Sequence, residues 1–424
     1  MWTVAGQPRG RYGPTGRPRG GAAKNNGDIP HMTTKVDPTI SQQTGANLKV
    51  ITTFNQTESV SRHVRSIAPY DAVSSLNLIM ERPQLTHFKL DWNESTLSPS
   101  AKVKDALMEY LKGSNGLNWY PPLFAPELSR KISFYAGVAP EGVLVTNGSD
   151  DSLELLMKTY LDPGDRIVTP YPTYAHALLF ARSRGANIVK VVYPDVFTAD
   201  LDSLLKAVGP RTKMIYLVNP NNPTGAYLHR EEIEQVAARA PGSLIVVDEA
   251  YFEFCGETMA AMTRDHENIV VTRSFSKAFA LAALRIGYIL AHPNTITQLK
   301  RIYNPKSVNT LAQVAACAAL DDLGYYDRYV KQVHLAKQMV VDYCAGVGLV
   351  CRNTRANYVL IQVPHVHKAI KGLENEGIYV RDRSGIPQLR GFFRFNLGDV
   401  NQTEEILRRM DKVFRRLGIV TTPA

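Results

Sequence analysis

The run Met214-Ile215-Tyr216-Leu217-Val218-Asn219-Pro220-Asn221-Asn222-Pro223-Thr224-Gly225 is a short apolar segment closed by a Pro/Gly/Asn loop. A helical period follows over Arg230–Ala240. Then comes a second apolar segment, Leu244–Val247, ending in Asp248-Glu249-Ala250-Tyr251. Continuous apolar strands separated by an amphipathic helix predict parallel strands buried on both faces. Working outward, five more such runs lie between Val143 and Leu290: Val143–Asn147, Arg166–Thr169, Ile188–Tyr193, Ile269–Thr272 and Ile286–Leu290. Seven runs predict one large α/β domain. Ligands on such sheets sit at the carboxyl ends of the strands, so the polar residues just after each run carry the functional signal.

After Pro305 the pattern changes. Asn309–Leu320 reads as an Ala-rich helix and Asp327–Tyr343 as a longer amphipathic one. Short strands follow at Tyr358–Val363 and Phe392–Leu397. We expect a leader or tag over residues 1–40 and an N-terminal segment, 41–95, that joins a small domain. The large domain is expected over 96–305 and the small α+β domain over 306–424.

Composition bounds the function. Hydrophobic residues make up 44% and charged residues 21% of 424, which excludes a mainly disordered chain. No run approaches the roughly 18 apolar residues that span a bilayer, and no membrane partner is expected. The net charge is +10. Much of that excess lies in residues 1–32, where Arg9, Arg11, Arg17, Arg19 and Lys24 face only Asp28. This Gly/Pro/Arg-rich piece reads as a leader or tag ending at the His31-Met32 junction, in preference to a nucleic-acid arm. Cys255, Cys317, Cys344 and Cys351 form no CxxC pair. Reduced thiols, no metal cluster and a cytoplasmic location are expected.

The strand ends supply a set of residues suited to one chemistry. After the first run come Gly148, Ser149 and Asp150 at a helix start, where free N–H groups suit a phosphate. Asn222 follows the Met214 run, and Asp248 and Tyr251 follow the Leu244 run. Ser274, Ser276 and Lys277 follow the Ile269 run, with Arg285 eight residues further on. A lysine amine can form a Schiff base with the aldehyde of pyridoxal phosphate. A carboxylate such as Asp248 can keep the pyridine nitrogen protonated. Tyr251 and Asn222 can donate to the ring oxygen. Ser149, Ser274, Ser276 and Arg285 can hold the phosphate.

These motifs resemble the fold-type-I pyridoxal-phosphate aminotransferases, nearest the histidinol-phosphate aminotransferase group. The resemblance runs from about Ile67 to Leu417. It rests on NPNNPTG at 219–225, VDEAY at 247–251, SFSKAFALAALRIGY at 274–288 and FRFNLG at 393–398. It implies an aspartate-aminotransferase-like fold, with a seven-stranded mostly parallel sheet plus a small α+β domain. Lys277 would be the Schiff-base lysine and Tyr174 would stack on the cofactor ring. Tyr120 would reach the cofactor phosphate of a neighbouring subunit, so a homodimer with shared sites is implied. The partners would be an amino donor and a 2-oxo acid or other carbonyl acceptor, with no nucleic acid.

For the substrate, Arg394 sits where the family binds a carboxylate or phosphate, and Arg381 precedes it by thirteen residues. Asn93 and Asn357 are further candidates. The substrate motifs depart from the family's usual ones: Asn93-Glu94-Ser95-Thr96 stands for Asn-Glu-Asn-Pro, and Trp119-Tyr120-Pro121-Pro122 for Arg-Tyr-Pro-Asp. Arg394-Phe395-Asn396-Leu397-Gly398 stands for Arg-Ile-Thr-Ile-Gly. The cofactor motifs match while the substrate motifs differ, which points away from histidinol phosphate itself. Decarboxylation, cyclisation or oxidation of an amino-acid derivative would use the same cofactor residues and stays open. A cofactor-sensing DNA-binding regulator would need a folded helix-turn-helix, for which residues 1–40 are too short and too rich in Gly and Pro.

Overall fold

In the computed structural model the central sheet has seven strands, and all seven predicted runs are in it. Across the sheet the order is Val143–Thr146, Gly287–Ala291, Ile269–Ser274, Leu244–Asp248, Thr212–Val218, Arg166–Tyr171 and Asn187–Val192. The Gly287–Ala291 strand runs antiparallel to both its neighbours, and the other pairings are parallel. The structure describes residues 55–69, 74–113 and 117–421, and the expectations for residues 1–32 and 1–40 lie outside them.

Alternate residues of each strand enter different cores. Val143, Val145, Ile215, Leu217, Ile245 and Val247 pack on one face of the sheet. Leu144, Met214, Tyr216, Leu244 and Val246 pack on the other. Each side chain so buried contributes about 1.5–3 kcal/mol, which is why these strands carry no polar alternation.

A second sheet of four strands has the order Arg381–Asp382, Phe392–Asn396, Tyr358–Gln362, Val350–Arg352, with every pairing antiparallel. Leu323–Gly346 and Val400–Arg416 pack with it around Tyr358, Leu360, Phe393 and Phe414. Four short strands were not foreseen from the sequence: Phe88–Lys89, Val350–Arg352, Ile378–Tyr379 and Arg381–Asp382. Phe88–Lys89 pairs in parallel with Ile378–Tyr379, and Arg381–Asp382 adds an edge to the four-stranded sheet. Strands this short show no periodicity of their own.

The Thr310–Leu320 helix, expected with the small domain, packs elsewhere. Ala312, Ala315, Ala316 and Ala319 lie in the apolar core of the seven-stranded sheet, beside Val103 and Leu128. Its small side chains allow that close approach.

Candidate active site

The carboxyl ends of the parallel strands meet at one place. Asp248 ends its strand with Val218 and Thr272 as register partners. One strand over, Ser274 pairs with Gly287, and a Cβ on Gly287 would stand 2.7 Å from the Ser149 nitrogen. Only a glycine lets the Ser149–Tyr160 helix start this close to the sheet. Gly148 caps that helix at φ +88°, and a Cβ there would meet the Arg285 guanidinium at 2.8 Å. Gly148, Ser149, Ser274, Ser276 and Arg285 therefore lie close together at a helix N-terminus. The Ser274 hydroxyl accepts from the Ser276 backbone N–H at 3.0 Å.

Asp150 is the second residue of the same helix. It accepts from the Tyr174 hydroxyl at 2.8 Å and pairs with Arg285 at 3.3 Å, and His176 Nδ1 lies 3.7 Å away. Burial alone would raise its carboxyl, but hydrogen bonds from His176 and Tyr174 and the Arg285 charge outweigh that and hold it below the usual range. His176 was missed by the sequence reading, since a histidine in the first turn of a helix gives no signal by itself.

Asp248 is in a different state. It is buried, and its hydrogen-bond donors are both neutral: Tyr216 Oη at 3.2 Å and the Ala250 N–H at 3.2 Å. Burial pushes its carboxyl up to about 6, and the charge of Asp150 adds to that. A buried carboxylate with only neutral donors is suited to a cationic N–H.

Lys277 lies between the two sheets and donates to the Trp92 carbonyl at 3.0 Å. Burial, helped by the Arg394 charge, lowers its amine to about 8. The Asp91–Glu94 segment crosses the site and is held by its own backbone oxygens. Arg394 Nη2 binds the Asp91 carbonyl at 2.6 Å, Asn357 Nδ2 that of Asn93 at 3.1 Å, and Asn396 Nδ2 that of Glu94 at 3.0 Å. The Asn93 side chain donates to the Tyr251 hydroxyl at 2.9 Å, and Asn222 donates to the same oxygen at 3.2 Å. Asn93 thus stands with the Tyr251–Asn222 pair, and Asn357 supports the crossing segment. Asp91, Trp92 and Asn396 were not foreseen, because backbone carbonyls and their partners leave no motif.

Arg394 is 3% exposed and donates to Asn222 Oδ1 at 2.7 Å. Arg381 faces it across the strand pair. Tyr120 is not brought to this site within the chain: it is 80% exposed, with the Lys306 amine 4.5 Å from its ring centre.

Residues 86–410 match the aminotransferases of class I and II. The chain belongs to that family. This aminotransferase is 34% identical to a dihydroxyacetone phosphate transaminase of Campylobacter jejuni, over 84% of this chain and 98% of that one. It is 30% identical to a histidinol-phosphate aminotransferase of a Thermoanaerobacter species, over 77% of this chain and 93% of that one. Its fold matches the histidinol-phosphate aminotransferase of Sinorhizobium meliloti, solved in complex with pyridoxal 5'-phosphate. The TM-score is 0.76 at 24% identity, covering 86% of this chain and 99% of that one. Among the described residues, no helix of the aminotransferase is long and apolar enough to cross a membrane.

Proposed function

We propose that this aminotransferase uses pyridoxal 5'-phosphate to move an amino group between a donor and a carbonyl acceptor, one of which carries a phosphate. The observation that carries the cofactor assignment is Asp248, buried at a strand end with neutral donors only. Its side chain fits a protonated ring nitrogen. The cradle of Gly148, Ser149, Ser274, Ser276 and Arg285 fits the cofactor's phosphate, since backbone N–H groups, hydroxyls and a guanidinium fork are its usual partners. Tyr174, bonded through its hydroxyl to Asp150 beside that cradle, is proposed to cover a ring face. When bound, the cofactor supplies an electron sink for the bond broken at the substrate α-carbon.

The chain's own residues then divide the work. Lys277, with its amine lowered to about 8, holds the cofactor and moves a proton at the α-carbon. Tyr251, with Asn93 and Asn222 on its hydroxyl, orients the ring oxygen. Arg394 and Arg381 take the substrate anion, and the Asp91–Glu94 segment closes over it and limits water. The phosphate in the reading draws support from the two relatives, both named for phosphorylated compounds, and from the paired arginines. We also propose that the junction between the two lobes falls near Asp321 and Asp322, after the Thr310–Leu320 helix. Tyr120 is proposed to reach the site of a second copy in a homodimer.

A screen of amino donors tests the function. Each donor is added alone to the cofactor-loaded protein, and the absorbance of the bound cofactor is followed. A transaminase converts the cofactor to its amine form with donor alone. Release of carbon dioxide, or no change with any donor, defeats the proposal.

A further inference from the structure

We propose that Lys337 is a positioning residue for the reaction: by fixing the turn at Thr354–Asn357, it sets the place of the groups that hold the Tyr251 hydroxyl on the cofactor's ring oxygen. This rests on the cofactor assignment. Lys337 lies on the Leu323–Gly346 helix and is 5% exposed, with Val333, Val340 and Cys344 of the same helix buried in the core of the four-stranded sheet. Its amine donates to the Thr354 carbonyl at 2.7 Å and to the Ala356 carbonyl at 2.6 Å. Both acceptors are neutral, and burial lowers the amine to about 8. Filling a core position needs no amine, since a methionine would do so with no charge to desolvate. What this side chain does beyond filling is to hold two backbone oxygens of one turn.

That turn joins the antiparallel strands Val350–Arg352 and Tyr358–Gln362. The Thr354 hydroxyl donates to the Tyr358 carbonyl at 2.5 Å and accepts from the Ala356 N–H at 3.2 Å, so the turn is closed on itself as well as on the helix. It meets the site at three points. The Thr354 methyl packs on Gly225, where φ is +79° and a Cβ would stand 2.4 Å from it. Gly225 ends the loop that carries Asn222. The Tyr358 hydroxyl donates to the Asn221 carbonyl of that loop at 2.6 Å. The Asn357 side chain donates to the Asn93 carbonyl at 3.1 Å.

Asn222 and Asn93 are the two side chains that donate to the Tyr251 hydroxyl. Both are thus seated against one turn, and Lys337 ties that turn to the helix. Without the amine, two buried carbonyls lose their donor, and an unpaired buried carbonyl is costly enough that the backbone shifts to find another. The close contact of Thr354 with Gly225 leaves the loop no slack to absorb such a shift. It would pass to Asn222 and Asn93, and from them to Tyr251.

The test follows the cofactor-loaded protein by absorbance as pH is varied, beside turnover and denaturant unfolding. A donor on the ring oxygen lowers the proton affinity that this oxygen shares with the Lys277 nitrogen. In Lys337→Met the pH of the absorbance change should therefore move up by about half a unit to one unit, the scale of one weakened hydrogen bond. Turnover should fall about tenfold, the scale of a lost contact behind a ligand-holding group. Lys337→Arg keeps the charge and the donors and should recover part of both. An unaltered absorbance change in Lys337→Met, whether or not the unfolding midpoint falls, would make Lys337 an element of the fold only and overturn the assignment. If Lys337→Met does not fold, Lys337→Gln, one bond shorter and neutral, is judged by the same criterion. If the unaltered protein takes up no cofactor, the cofactor assignment and this inference fall together. If it takes up cofactor, shows the shift in Lys337→Met and yet converts with no donor, the transaminase reading falls and the role of Lys337 stands.

Discussion

Arg394 Nη1 donates to Asn222 Oδ1 at 2.7 Å. This bond ties a strand of the four-stranded sheet to the loop after a strand of the seven-stranded one. It also sets the amide's orientation: with Oδ1 engaged, Nδ2 faces the Tyr251 hydroxyl at 3.2 Å. An arginine proposed to bind substrate thereby also orients a residue proposed to touch the cofactor.

Arg394→Lys should therefore raise KM by about 10- to 100-fold, the scale of a hydrogen bond to a charged group, because a lysine cannot form the fork. Cofactor occupancy, read from absorbance, should change little. Steady-state kinetics with the best donor checks it. An unaltered KM would mean the substrate anion is held elsewhere.

Lys277 should be the residue that carries the cofactor. Borohydride reduction and peptide mapping should find the pyridoxyl group there and on no other lysine. Burial lowers its amine to about 8, so attachment to cofactor-free protein should accelerate as pH rises through that value. An ordinary lysine would place the rise near 10.5. Attachment rates measured from pH 6 to 10 distinguish the two.

Asp248→Asn should cut turnover by roughly 100-fold or more, as removal of a preorganised electrostatic partner does. It should also alter stability with a definite sign. The folded carboxyl is raised by burial to about 6, above its value of 3.8 in a model compound. Its stabilising contribution is thus complete below the unfolded value and lost as pH rises through the folded one. In cofactor-free protein the variant should gain on the unaltered chain between pH 4 and 7. At 1.36 kcal/mol per pKa unit the gain is about 3 kcal/mol as an upper bound. Denaturant titration at both pH values measures it, and a difference that does not depend on pH would contradict the burial argument.

Glu249 and Arg273 form an ion pair at 2.9 Å with side chains 2% and 1% exposed. The Arg273 guanidinium lies 3.6 Å from the centre of the Phe252 ring. Glu249→Gln leaves that charge buried with weakened compensation and should destabilise the fold by about 3 kcal/mol. Adding Arg273→Met should recover part of the loss. A double variant less stable than the single one would show that Arg273 is held chiefly by other groups.

The seven strands and their mostly parallel arrangement were legible in the sequence because both faces are buried. Runs such as Met214–Val218 and Leu244–Val247 are apolar at every position, a pattern that local inspection detects. The places of Asp248 at a strand end and of Lys277 in the loop after one were legible as well, and such a loop opens on the ligand side of the sheet. The tertiary structure alone decided three other matters. It placed Thr310–Leu320 under the large sheet, because an alanine-rich surface packs wherever a neighbour lies close enough, and composition does not name that neighbour. It threaded Asp91–Glu94 through the site, where Arg394, Lys277, Asn357 and Asn396 satisfy its carbonyls. Backbone oxygens have no residue identity to read. It also put Arg381 opposite Arg394, because a two-residue strand takes its register from its partner and has too few residues to show a period.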